Sequence, residues 1–95
     1  MPSMSLTMLS ASIRTAPPVE GEANAALLRL LARALGLALS DLGEFAAAVQ
    51  AYTQAITIDA HDWHAYNNRG LALWALGRRE DARRDYEKVK ELLGS

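Results

Sequence analysis

"GLALSDLGEFAAAVQAY", residues 36–52, and "GLALWALGRREDARRDY", residues 70–86, decide how this chain folds. Paired at an offset of 34, residues 29–61 and 63–95 are identical at eight of 33 positions, all inside these two stretches. The matches are Gly36/Gly70, Leu37/Leu71, Ala38/Ala72, Leu39/Leu73, Leu42/Leu76, Gly43/Gly77, Ala48/Ala82 and Tyr52/Tyr86. Self-similarity at a fixed period of this length marks a repeat array, in which each repeat is one supersecondary unit.

The physical content of those sites is consistent. A mid-helix glycine costs about 1 kcal/mol relative to alanine, so Gly36 and Gly70 need a compensating role. Close packing supplies one: a bare glycine lets a neighbouring helix approach, with Ala48 and Ala82 as the matching small surface. Tyr52 and Tyr86, one turn later, are then expected to fill the wider space beyond. Gly43 and Gly77 suit the ends of the first helix of each pair. Each unit is an αα-hairpin.

Working outward, "NAALLRLLARALGLALSDL" (24–42) is rich in strong helix formers and lacks proline and β-branched residues. "EFAAAVQAYTQAITID" (44–59) places Phe45, Ala48, Val49, Tyr52, Ala55 and Ile56 on one stripe at helical spacing. Asp62 is a natural N-cap for "WHAYNNRGLALWAL" (63–76), which stops at Gly77. "REDARRDYEKVKELL" (79–93) forms the last helix, with Glu80→Arg84 and Arg83→Glu87 spaced as i,i+4 pairs. Residues 1–23 read differently. Pro17, Pro18 and Gly21 punctuate them, and only Leu6, Leu9 and Ile13 hint at a short amphipathic helix. The expected organisation is a flexible N-terminal tail (1–23, largely disordered or a short helix) and an all-α domain (24–94). Its two tandem helix–turn–helix hairpins cover about 29–62 and 63–95 and stack as an αα-superhelix.

Composition bounds the function. The 95 residues hold 22% charged side chains and a net charge of −1, with no basic surplus of the kind nucleic-acid binders carry. The absence of cysteine excludes disulfides, thiolate metal sites and cysteine nucleophiles. The start of the chain lacks the basic region and solid apolar core of a secretory signal, so a cytoplasmic location is expected. No uninterrupted apolar run nears the roughly 18 residues of a bilayer span, and no membrane association is expected.

The residues just quoted resemble the tetratricopeptide repeats, whose 34-residue unit carries a spaced pattern of Trp, Leu-Gly, Tyr, Ala, Phe and Pro. The first unit supplies Ala32, Leu35-Gly36, Leu39, Ala48, Tyr52 and Ala60 at those places. The second supplies Tyr66, Arg69-Gly70, Leu73, Ala82, Tyr86 and Gly94. The resemblance spans roughly 29–93; it departs in Leu39 and Leu73, where the pattern has tyrosine, and in lacking the terminal prolines. It implies a non-enzymatic adaptor that holds a peptide or helix of a partner protein in a concave groove. Carried over by position, that groove is lined by Leu30, Arg33, Leu37 and Ser40, then His64, Asn67, Asn68, Leu71 and Trp74. Asn68 and Arg33 stand where the carboxylate-clamp members of the family keep an asparagine and a lysine. Leu37 breaks that clamp, and its third repeat is missing. Trp74 suits an exposed interface anchor or a residue buried under the N-terminal tail.

Chemistry of other kinds finds little support. His61 and His64 flank Asp62 but lack the further ligands of a structural metal site. No phosphate-binding glycine loop, nucleophile elbow or paired-histidine zinc motif occurs, so neither enzyme activity nor a cofactor is expected. Glu80, Asp81, Asp85, Glu87 and Glu91, interleaved with Arg and Lys, read as a solvated ion-paired face. Two repeats fall short of the three or so that usually bury a continuous core. The helix around 26–35 is apolar nearly all round and needs a cover: residues 4–14, a second copy or a partner. Homo-oligomerisation through that end is the alternative function.

Overall fold

The computed structural model describes residues 18–94. Four helices follow one another: α1 (Pro18–Asp41), α2 (Phe45–Ile58), α3 (Trp63–Ala75) and α4 (Arg79–Leu92). Among the described residues there is no strand. Helices α1 and α2 form one hairpin and α3 and α4 the other, with α3 packed onto α2 so that the two hairpins stack in series.

Helix α1 starts at Pro18, six residues before Asn24, where the change in composition places it. Proline lacks the N–H that the first helical turn leaves unused, and its fixed φ suits that position, so Pro18 opens the helix where it was read as punctuation. The helix thus reaches into the stretch expected to be a tail; residues 1–17, with Leu6, Leu9 and Ile13, lie outside the described residues.

Both hairpin turns are built identically. Gly43 donates to the Ser40 carbonyl at 3.0 Å and Glu44 to the Leu39 carbonyl at 2.8 Å. Thirty-four residues on, Gly77 donates to Trp74 and Arg78 to Leu73, both at 2.9 Å. These two bonds make a Schellman ending, which requires a left-handed residue, and both glycines sit at φ 80°. Asp62 caps α3 as expected: its Oδ1 accepts from the Ala65 N–H at 3.3 Å.

The core is small-residue packing around tyrosine. Ala48, Ala55, Ala65 and Ala82 are fully buried, and Tyr52 is only 1% exposed. The mid-helix glycines play a different part from the one the pattern suggests. A Cβ on Gly36 would stand 2.5 Å from Cε1 of Tyr52, and one on Gly70 would stand 2.7 Å from Cε1 of Tyr86. Each glycine makes room for a tyrosine ring of the second helix, and not for close backbone approach. Glycine and tyrosine recur together because each ring needs its bare helix surface.

The surface of α4 also differs from the i,i+4 expectation. Asp81 takes Arg78 at 2.6 Å and Arg84 at 3.5 Å, and Glu80 takes Arg83 at 3.8 Å, all at i,i+3 spacing. Asp85, read as part of the solvated face, is 4% exposed and belongs to the core side of the helix.

Candidate protein-binding face

Helices α1 and α3 lie side by side, and the positions predicted to line the groove fall on them at helical spacing. Residues 30, 33, 37 and 40 share one face of α1; residues 64, 67, 68, 71 and 74 share one face of α3. Four of the nine are exposed apolar side chains: Leu30, Leu37, Leu71 and Trp74. Trp74 is 53% exposed against the described residues, and the Arg79 guanidinium lies 4.9 Å from its ring centroid. Asn67 and Asn68 are half-buried. His64 is exposed and stacks on Trp63 with ring centroids 3.6 Å apart.

Arg33 has a carboxylate beside it within the fold. Its Nη1 lies 3.5 Å from Oδ2 of Asp62, and the same oxygen accepts a 2.9 Å hydrogen bond from Nη1 of Arg29. The Asp62 side chain is almost fully buried, so one carboxylate both caps α3 and pairs with two arginines of α1, while Asp59 lies 3.6 Å from Nε of Arg29 and supplies a second negative charge. A buried charge is tolerated when it is paired and hydrogen-bonded in this way. Nε of Arg33 is buried without a hydrogen-bond partner. Ser40 is half-buried, and its hydroxyl works to lower the pKa of the Tyr52 phenol. Burial nevertheless holds the Tyr52 phenol above its ordinary pKa, and burial does the same to Tyr86.

A second ion pair, not foreseen from the residue pattern, locks the second hairpin. Arg69 Nε donates to Asp85 Oδ2 at 2.8 Å and Nη2 to Oδ1 at 2.7 Å, a bidentate fork. Nη1 of Arg69 reaches Thr53 Oγ1 of α2 at 3.1 Å, tying the two hairpins together. The pairing raises the Arg69 pKa, keeping the guanidinium charged. One signal for it lay in the repeat. At an offset of 34, Arg69 replaces Leu35 and Asp85 replaces Ala51, a joint change from apolar to oppositely charged.

The same pair borders a cleft of about 330 Å³ on another side of the molecule, between Val49 and Thr53 of α2 and Arg78 to Asp85 of α4. Its arginines, Arg69, Arg78 and Arg84, are each already bonded to Asp85 or Asp81. Asp81 is thus shared by two of the three arginines, and none of the predicted groove residues lines the cleft. His61 and His64 do not converge: Nδ1 of His61 lies 3.8 Å from Asp59, while His64 stacks on Trp63.

The stretch Ala23–Asp41 of α1 is long and apolar enough, by length and composition alone, to cross a membrane. Arg29 and Arg33 interrupt it without disqualifying it, which is why counting uninterrupted runs missed it. In the fold this stretch is half of a hairpin, with Ala32 in the core and both arginines bonded to Asp62.

Comparison with known families agrees with the hairpin geometry. The family described as TPR repeat matches residues 36–77, and the one described as Tetratricopeptide repeat matches residues 63–94. Comparison with curated proteins gives no match. Together the two matches cover residues 36–94, from late in α1 to the end of α4, and the chain belongs to the tetratricopeptide repeat family.

Proposed function

We propose that this chain is a cytoplasmic adaptor whose α1/α3 face takes up a peptide or helix of a partner protein through apolar contacts; proteins of this family generally mediate protein–protein interaction, typically without enzymatic activity. The observation that carries this reading is the set Leu30, Leu37, Leu71 and Trp74, exposed on adjoining helices. Because Asp62 lies beside Arg33, the proposed ligand is an apolar segment and not an acidic chain terminus. A half-exposed tryptophan among leucines has the make-up of an interface hot spot.

The test is affinity capture with the intact chain, followed by the same capture with Trp74→Ala and Leu71→Asp. Both side chains are exposed, so circular dichroism should report unchanged helicity. The reading expects the captured partner to be lost with both variants and kept with Arg83→Ala on α4. Capture that is indifferent to Trp74 and Leu71 removes it. Self-assembly through the apolar end of α1 is the second reading, favoured by the leucines exposed on the other side of that helix.

A further inference from the structure

Leu28, Leu31, Leu35, Ala38 and Leu42 are spaced three, four, three and four residues apart along α1 and the turn after it. That is the a/d spacing of a coiled-coil seam. All five are exposed, the leucines at 57%, 56%, 53% and 76% in chain order. At 3.6 residues per turn this strip lies roughly 130° around the helix from Leu30 and Leu37. It is thus separate from the proposed ligand face.

The fold itself says what kind of surface the strip is. Moved by 34 residues, Leu31, Leu35, Ala38 and Leu42 become Ala65, Arg69, Ala72 and Leu76 of α3. Ala65 and Ala72 are buried, and Arg69 reaches Thr53 of α2. Helix α1 therefore exposes the face that α3 buries against the preceding hairpin. No described charge needs desolvating along it, since Arg29 and Arg33 both turn to Asp62.

We propose that a second copy of this chain covers the strip, the two α1 helices running antiparallel with Leu31 of each copy against Leu35 of the other. The pairing rests on the assembly reading above and is independent of the ligand face. Three observations favour it over other covers. First, the a/d spacing is self-complementary in the antiparallel sense, placing Leu28 opposite Ala38 and Leu31 opposite Leu35. Second, the exposed apolar surface of the strip is on the order of 500 Å², at the size of the largest patch on typical monomers. Two copies then bury about 1,000 Å², the lower bound of a specific interface. Third, the alternatives fit poorly. Residues 4–14 wound into a helix would span about 16 Å, short of the about 21 Å from Leu28 to Leu42. Helix α4 of another copy offers Arg83, Glu87 and Lys90 where α2 offers Val49, Thr53 and Ile56, so head-to-tail stacking would bury charges against leucine.

Sedimentation of the full chain over a wide concentration range tests the proposal. The expected result is a reversible shift from the 10.3 kDa monomer to twice that mass. Leu35→Lys alone and Leu31→Glu alone should each hold the chain monomeric with helicity unchanged. An equimolar mixture of the two variants should recover the dimer, because each introduced lysine then faces an introduced glutamate while the remaining Leu31 and Leu35 still meet. A strict monomer at all concentrations overturns the pairing and the assembly reading together. A monomer captured by neutral phospholipid vesicles gives the strip to a membrane and also overturns it. A dimer that survives Leu35→Lys leaves assembly standing but refutes the strip as its site. Failure of the mixture to recover the dimer refutes the antiparallel register.

Discussion

Replacing Gly36 by alanine separates two opposing effects whose sizes the structure allows to be compared. In a bare helix the change gains about 1 kcal/mol. Here the new Cβ would meet Cε1, Cζ and Cδ1 of Tyr52 at 2.5, 2.7 and 2.8 Å. The ring is fully enclosed, so it cannot swing away, and overpacking a closed core costs about 1–3 kcal/mol. Three contacts this short put the site at the upper end, about 3 kcal/mol. The net prediction is a loss of about 2 kcal/mol, or a melting point lower by about 10 °C for a domain this small.

Gly70 supplies the internal control. There only Cε1 of Tyr86 is as close as 2.7 Å, the next two atoms lie at 3.1 Å, and Tyr86 is half-buried at the open end of the stack. Its ring can yield, so overpacking near 1 kcal/mol cancels the helix gain and leaves Gly70→Ala within about 0.5 kcal/mol of neutral. Urea unfolding followed by circular dichroism reads both. In a Tyr52→Leu background the penalty at Gly36 should vanish and alanine become favourable. If Gly36→Ala stabilises the unmodified chain by about 1 kcal/mol, the ring does not occupy the glycine surface and the packing argument fails.

Further expectations follow from the buried ion pairs and the tyrosines. Asp62→Ala strands Arg33, leaves Arg29 with Asp59 alone and removes the cap of α3; discounted for arginines about one-fifth exposed, the loss should be about 2 kcal/mol in urea unfolding. Asp62→Asn keeps a cap acceptor and should lose about half as much. Asp85→Ala should destabilise by about 2 kcal/mol, whereas Arg69→Leu with Asp85→Ala, the residues of the first hairpin, should recover most of it. Both tyrosines have folded pKa values raised by burial, so their contribution is fully present below the unfolded tyrosine pKa. It is lost as pH rises through the folded values. Alkaline titration of the melting point should therefore show a decline above about pH 10, shallower in Tyr52→Phe.

The features legible in the sequence are those fixed by short-range geometry and repeated at the period. Gly43 and Gly77 had to be left-handed because only that conformation closes a Schellman ending, and two such glycines 34 residues apart define the hairpins. Asp62 announced itself as a cap because a carboxylate before an apolar-periodic run satisfies an early helical N–H. The interactions that escaped are those that depend on which faces meet. Asp62 is 33 residues from Arg29, and nothing near either residue tells that the cap also pairs with α1. For the same reason nothing near Arg33 tells that it also lies beside Asp62. Asp85 looked solvated because its neighbours Arg83 and Arg84 are, while its own partner lies 16 residues back on α3. The start of α1 was misplaced because proline reads as a breaker except in the one turn where it is favourable.

The most direct test of the account is a residue-resolved map of the bound partner on the protein. Methyl and indole resonances of the intact chain would be followed by NMR as the captured partner segment is added. Binding at the α1/α3 face predicts that Leu30, Leu37, Leu71 and the Trp74 indole shift together, while Val49 and Leu73 beside the polar cleft stay still. Shifts concentrated at Val49 and Leu73, with Trp74 unmoved, would contradict it.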